Sequence, residues 1–131
     1  MNHGILQRTT TGSLDGSLHF PAVVALLAAE GIESYHADLL RREKTYYAAS
    51  GETYRETAAL PPASVAPEFS AAAVKDAILA SQRGAITYPE FLHRVGAAGT
   101  ASYNVYIRGR RAIYWGRHGE FHVEEFPAAL P

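Results

Sequence analysis

The feature that most constrains this chain is that it nearly repeats itself. Gly16-Ser17-Leu18-His19-Phe20-Pro21 reads like Gly84-Ala85-Ile86-Thr87-Tyr88-Pro89, an offset of 68 residues. Held without a gap, the offset places Gly31 on Gly99, Ser34-Tyr35 on Ser102-Tyr103 and Arg42 on Arg110. It also places Tyr46 on Tyr114, Gly51-Glu52 on Gly119-Glu120 and Glu56 on Glu124. Over positions 16–56 there are 11 identities in 41, concentrated on Gly, Pro and Tyr. Residues that tolerate special backbone geometry are thus spaced alike in both halves, so each half is expected to build the same unit.

Each unit reads as two helices followed by three strands. In the second half Ser70 is an N-cap, and Val74, Ala77, Ile78 and Ser81 share one face of the helix that follows. The matching stretch, about Asn2 to Ser13, is a weaker helix former because of Thr9-Thr10-Thr11. Pro21 and Pro89 each suit the first turn of a second helix, which Gly31 or Gly99 ends. Three strands are expected at about 33–39, 43–47 and 52–57, and again at 101–107, 111–115 and 120–125, each set a meander. The expected fold is α+β: two fused ααβββ repeats (about 2–57 and 70–125) with pseudo-twofold symmetry. Their antiparallel meander sheets, continuous or face to face, are covered by helices. A Pro-rich linker, 58–69, joins them in a single domain, 1–131, since neither half has core enough alone.

Alternation predicts which side chains meet the helices. Tyr103, Val105 and Ile107 lie on one side and Asn104 and Tyr106 on the other. Phe121 and Val123 are expected inward, with His122 and Glu124 pointing away, as are His36 and Asp38. If the non-helical faces meet near the symmetry axis, His36, Asp38, Tyr46, Glu56, Asn104, Tyr106, Tyr114, His122 and Glu124 line a polar, aromatic cleft for a ligand. The alternative is that these residues are solvated or pair across strands, which stabilises a sheet with no ligand at all.

Composition removes several function classes. With no cysteine, disulfides, Cys-ligated metals and thiol catalysis are excluded. Twelve Lys+Arg against 13 Asp+Glu give a net charge of −1, which favours neither a nucleic-acid nor a membrane-surface role. The longest apolar run, Ala22 to Ala29, is far short of the ~20 residues of a membrane span, and no signal peptide is legible, so a soluble cytoplasmic protein is expected. Two helix–turn–helix loops mimic a calcium loop. They place Leu79, Ser81 and Arg83, or Thr11, Ser13 and Asp15, where carboxylates are needed, so no calcium site is expected. No metalloprotease, serine-nucleophile or phosphate-loop motif is present, and neither a metal nor a cofactor is assigned.

Three function classes stay open. A non-enzymatic binding module would take a small molecule or a protein partner at the repeat interface. An enzyme, a hydrolase or isomerase, would use His36/Asp38 and His122/Glu124 as acid–base pairs or metal ligands. A nucleic-acid binder would use the hairpin carrying Arg108, Arg110, Arg111 and Arg117 among Tyr103, Tyr106, Tyr114 and Trp115. Oligomeric state is not legible.

Tyr35-His36-Ala37-Asp38-Leu39, Glu43-Lys44-Thr45-Tyr46-Tyr47, Tyr114-Trp115-Gly116-Arg117 and Gly119-Glu120-Phe121-His122-Val123-Glu124 carry a resemblance. The chain resembles a family of small bacterial proteins of unknown function, often labelled "phage envelope protein". The resemblance implies a stand-alone, single-domain bacterial protein. It implies no activity and transfers no site residue.

Overall fold

The computed structural model describes residues 1–127. The order is α1 (His3–Asp15), α2 (Phe20–Ala29), β1 (Ile32–Asp38), β2 (Glu43–Ala48), β3 (Thr53–Glu56), α3 (Ala71–Gln82), α4 (Tyr88–Ala97), β4 (Thr100–Tyr106), β5 (Arg111–Gly116) and β6 (Phe121–Glu125). Local chemistry sets the boundaries. The side chains of Asn2, Ser70 and Thr87 cap α1, α3 and α4 by accepting from the backbone N–H of Ile5, Ala73 and Glu90. Pro21 and Pro89 stand in the first turns of α2 and α4. Gly31 and Gly99, two residues past the ends of those helices, have φ of 76° and 95° and release the chain into a strand.

The six strands form one antiparallel sheet in the order β3-β2-β1-β4-β5-β6. The sheet is therefore continuous, and the face-to-face arrangement does not occur. Its seam is β1 against β4, with His36 opposite Asn104, Tyr35 opposite Val105 and Ala37 opposite Tyr103. The register shifts once in β1, between Ile32 and Ser34, and once in β4, between Thr100 and Ser102. Each irregularity adds local twist at the start of its strand.

The core lies between the helices and one face of the sheet. Leu6, Leu27, Val74 and Val95 are fully buried from the helical side, and Tyr35, Ala37, Tyr46, Tyr103, Val105, Ala112 and Tyr114 are buried from the sheet. The linker is part of this packing, with Ala59 and Leu60 buried in the core and Ala63, Val65 and Phe69 packed against it. Among the described residues no helix covers the opposite face of the sheet. Phe121 is 59% and Val123 38% exposed, so both stand on that open face.

This reverses the expectation for β6. Tyr114, on the helix side, is opposite His122, and Ala112 is opposite Glu124. Directly opposed residues share a face, so His122 and Glu124 point toward the helices and Phe121 and Val123 away. The apolar pair sits outside because pairing with β5, not hydropathy, fixes its face.

Candidate functional site

The sheet divides the nine predicted site residues. His36, Asp38, Asn104 and Tyr106 stand on the open face. Tyr46, Glu56, Tyr114, His122 and Glu124 stand on the helix side with the core tyrosines. One cleft lined by all nine is therefore not formed, and the two His–carboxylate pairs are separated by the thickness of the sheet.

On the open face a small network marks the seam. Asn104 Oδ1 accepts from Trp115 Nε1–H at 3.0 Å and lies 3.2 Å from His36 Nδ1. An amide oxygen only accepts, so His36 serves here as the donor through Nδ1–H. Asp38 is not a partner of His36; its carboxylate accepts the backbone N–H of Arg41 at 2.9 Å and closes the β1–β2 turn. Trp115 packs against Phe121 with the rings tilted at 45° and their centres 5.7 Å apart. A shallow concavity of about 530 Å³ opens where β1 begins beside the β4–β5 hairpin, lined by Glu33, Tyr106, Arg108, Arg111 and Ile113 among others.

On the helix side, Glu124 receives Lys75 of α3 at 2.8 Å and stands 3.0 Å from His122 Nε2. Burial pushes the Glu124 carboxyl up, but Lys75 and His122 more than offset it and leave it below the ordinary carboxylate range. In the first half Glu56 accepts from Thr10 at 2.7 Å and from Tyr46 at 3.4 Å, while Gln7 donates to Tyr54 at 2.8 Å. These contacts tie helices α1 and α3 to the outer strands.

Sequence reasoning missed Lys44. It is 2% exposed on the helix side of β2, with Nζ 5.2 Å from the centre of the Tyr35 ring and 5.4 Å from that of Tyr88. The two rings offer quadrupole attraction in place of water. Burial nevertheless lowers its pKa from 10.5 to about 8, with the Glu56 charge acting the other way. Burial also raises the hydroxyls around it: Tyr46 to about 12, and Tyr35, Tyr88, Tyr103 and Tyr114 well above their usual value. Tyr88 and Tyr103 share a hydrogen bond of 2.6 Å. The signal was available: Lys44 is two residues from Tyr46 on one strand, so alternation places both on one face.

The Arg-rich hairpin does not gather its charge. Arg108, Arg110 and Arg111 lie at one end of β5 and Arg117 follows its other end, ~20 Å away at the usual rise per residue. Arg110 rests on the Phe126 ring and Arg111 stands 3.9 Å from Glu125. Among the described residues no three His, Asp or Glu side chains form a group that could hold a metal, and no helix is long and apolar enough to cross a membrane.

Residues 16–125 match the model of a family described as a protein of unknown function (DUF1398). The chain belongs to this family. The match takes in all of the sheet, α2, α3 and α4, and leaves α1 outside. The family's description carries no activity, so it assigns no role to His36, Lys44 or Glu124, and it has no counterpart to the phage-envelope label. No curated protein matches the chain.

Proposed function

We propose that this protein is a non-enzymatic binding module that takes a protein partner on the open face of its sheet. In this reading the chain is a single domain of two ααβββ repeats. Their pseudo-twofold axis passes between His36 and Asn104, positions 68 apart that lie opposite each other. The setting we take for it is a soluble, cytoplasmic bacterial protein.

The observation that carries the proposal is a contrast between corresponding positions of the open face. Thr45, Thr53, Arg55 and Asp38 in the first half stand 68 residues before Ile113, Phe121, Val123 and Tyr106 in the second. The first set is polar and suits water. The second set, with Trp115, makes an apolar patch at the same places of the same sheet. A water-facing sheet gains nothing from that change, whereas a partner that covers the patch does. The acid–base alternative loses support from geometry, because His36 has no carboxylate partner and His122 lies on the other side of the sheet.

The test restores the first half's residues in the second. Peptides selected from a random library on the immobilised protein are titrated into wild type and into Ile113→Thr/Phe121→Thr, followed by amide chemical shifts. Wild type is expected to show shifts on β4–β6 of the open face, and the double variant at least tenfold weaker binding. Equal binding by the variant, or shifts on the helix side, overturns the proposal.

A further inference from the structure

The two outer strands of the sheet are not alike. In the β2–β3 pair, Ala48 N–H donates to Glu52 O at 2.9 Å. By the antiparallel alternation, Thr53 and Arg55 then turn their backbone groups outward. Arg55 is exposed and charged, the usual guard of a free edge. In the β5–β6 pair, Gly116 N–H donates to Glu120 O at 2.8 Å and Phe126 N–H to Arg110 O at 2.9 Å. The residues whose N–H and C=O look outward are therefore Phe121, Val123 and Glu125. The first two are apolar and exposed, and no charge interrupts them until Glu125. Among the described residues nothing pairs with this edge.

We propose that β6 pairs antiparallel with β6 of a second copy of this chain, about a twofold axis at Val123, joining two sheets into one of twelve strands. The side chains on the helix side select the register. With Val123 opposite itself, Phe121 pairs with Glu125 of the other copy and every outward N–H and C=O of the strand is used. On the helix side, His122 then lies opposite the other copy's Glu124, twice over by symmetry. Sliding by two residues to either neighbouring in-phase register sets Glu124 against Glu124, two like carboxylates that destabilise a sheet, or His122 against His122, with no carboxylate opposite either ring. The register that uses the whole strand is thus the one that sets an imidazole opposite a carboxylate. The contact is isologous and closes on itself, so it ends at a dimer. It uses the backbone edge and leaves the open face free, so it stands or falls apart from the binding reading above.

The test exploits the absence of cysteine in the chain. Val123→Cys places a single thiol on the axis, and Arg55→Cys places one on the other edge. Under mild oxidation Val123→Cys is expected to become a disulfide-linked dimer with native circular dichroism, while Arg55→Cys forms no disulfide link. Wild type is expected to sediment as a dimer across the micromolar range. Val123→Pro, which removes an N–H the monomer's own ladder does not use, is expected to weaken association at least tenfold. Should that variant not fold, Val123→Lys puts a charge on the edge to the same end. A wild type that sediments as a monomer throughout, equal cross-linking of the two cysteine variants, or an undiminished dimer in the folded Val123→Pro or Val123→Lys variant overturns the proposal.

Discussion

Replacing Lys44 by Met should make the protein more stable at neutral pH and remove a specific piece of its pH dependence. Lys44 is buried and its pKa falls from 10.5 to about 8 on folding. Such a shift corresponds to a penalty of about 3 kcal/mol below pH 8, where both states carry the charge and only the folded state bears its desolvation. Between pH 8 and 10.5 the unfolded chain keeps a proton that the folded one has released. The unfolded state then binds more protons, so stability rises with pH. About 2 kcal/mol of the penalty should be recovered between pH 7 and 9.5. The ring contacts with Tyr35 and Tyr88 and the Glu56 charge favour the ammonium and oppose this recovery. Lys44→Met keeps the volume and has nothing to titrate. Burial raises the pKa of the tyrosines around it, so above pH 10 the unfolded chain releases their protons first and stability falls as pH rises; the comparison therefore stops at pH 9.5. Urea melts of both proteins from pH 7 to 9.5 give the result directly. Lys44→Met should lead at pH 7, and the gap should close as pH rises. Parallel curves across that range, or a Lys44→Met protein that is the less stable at pH 7, would refute the reasoning.

Two other substitutions follow from packing. Thr100 is fully buried and its hydroxyl has no hydrogen-bond partner among the described residues, so Thr100→Val should raise stability by about 1 kcal/mol in thermal melts. Gly31 and Gly99 both hold positive φ, but a Cβ on Gly31 meets open space while one on Gly99 would lie 2.7 Å from Phe69 Cα. Gly31→Ala should therefore cost about 1 kcal/mol of backbone strain, and Gly99→Ala several times more, by denaturant titration.

The order of elements was legible because it rests on punctuation. Asn2, Ser70, Pro21, Pro89, Gly31 and Gly99 each act within one turn of the chain, and the structure places them at helix ends as the sequence implied. Sheet continuity was not legible, since the β1–β4 pairing joins residues some 68 apart in the chain and no local signal fixes it. The face of β6 was misjudged by letting the apolar character of Phe121 and Val123 choose it. Apolar side chains are often exposed, whereas cross-strand pairing is not optional. The corrective was in the sequence: His122 and Glu124 stand 68 residues after Tyr54 and Glu56, whose strand carries exposed Arg55 between them. Of the candidate site, the offset of 68 set His36 and Asn104 at corresponding positions, but their pairing across the seam was not legible, for the same reason as sheet continuity. The buried Lys44 was passed over because a lysine among charged neighbours reads as surface until its partners on the strand are counted.

The seam between β1 and β4 also has a cost in chain entropy. Closing a loop of nearly seventy residues costs about 4 kcal/mol before any contact across the seam is made. The linker lowers that cost in two ways. Pro61, Pro62 and Pro67 restrict the unfolded chain, so it has less freedom to lose. Leu60, 2% exposed in the core, anchors the linker near its start and divides one long closure into two shorter ones. The segment that reads in the sequence as a spacer between halves thus shapes the unfolded ensemble as much as the folded core. Its length and its prolines bear on how readily β1 and β4 find each other.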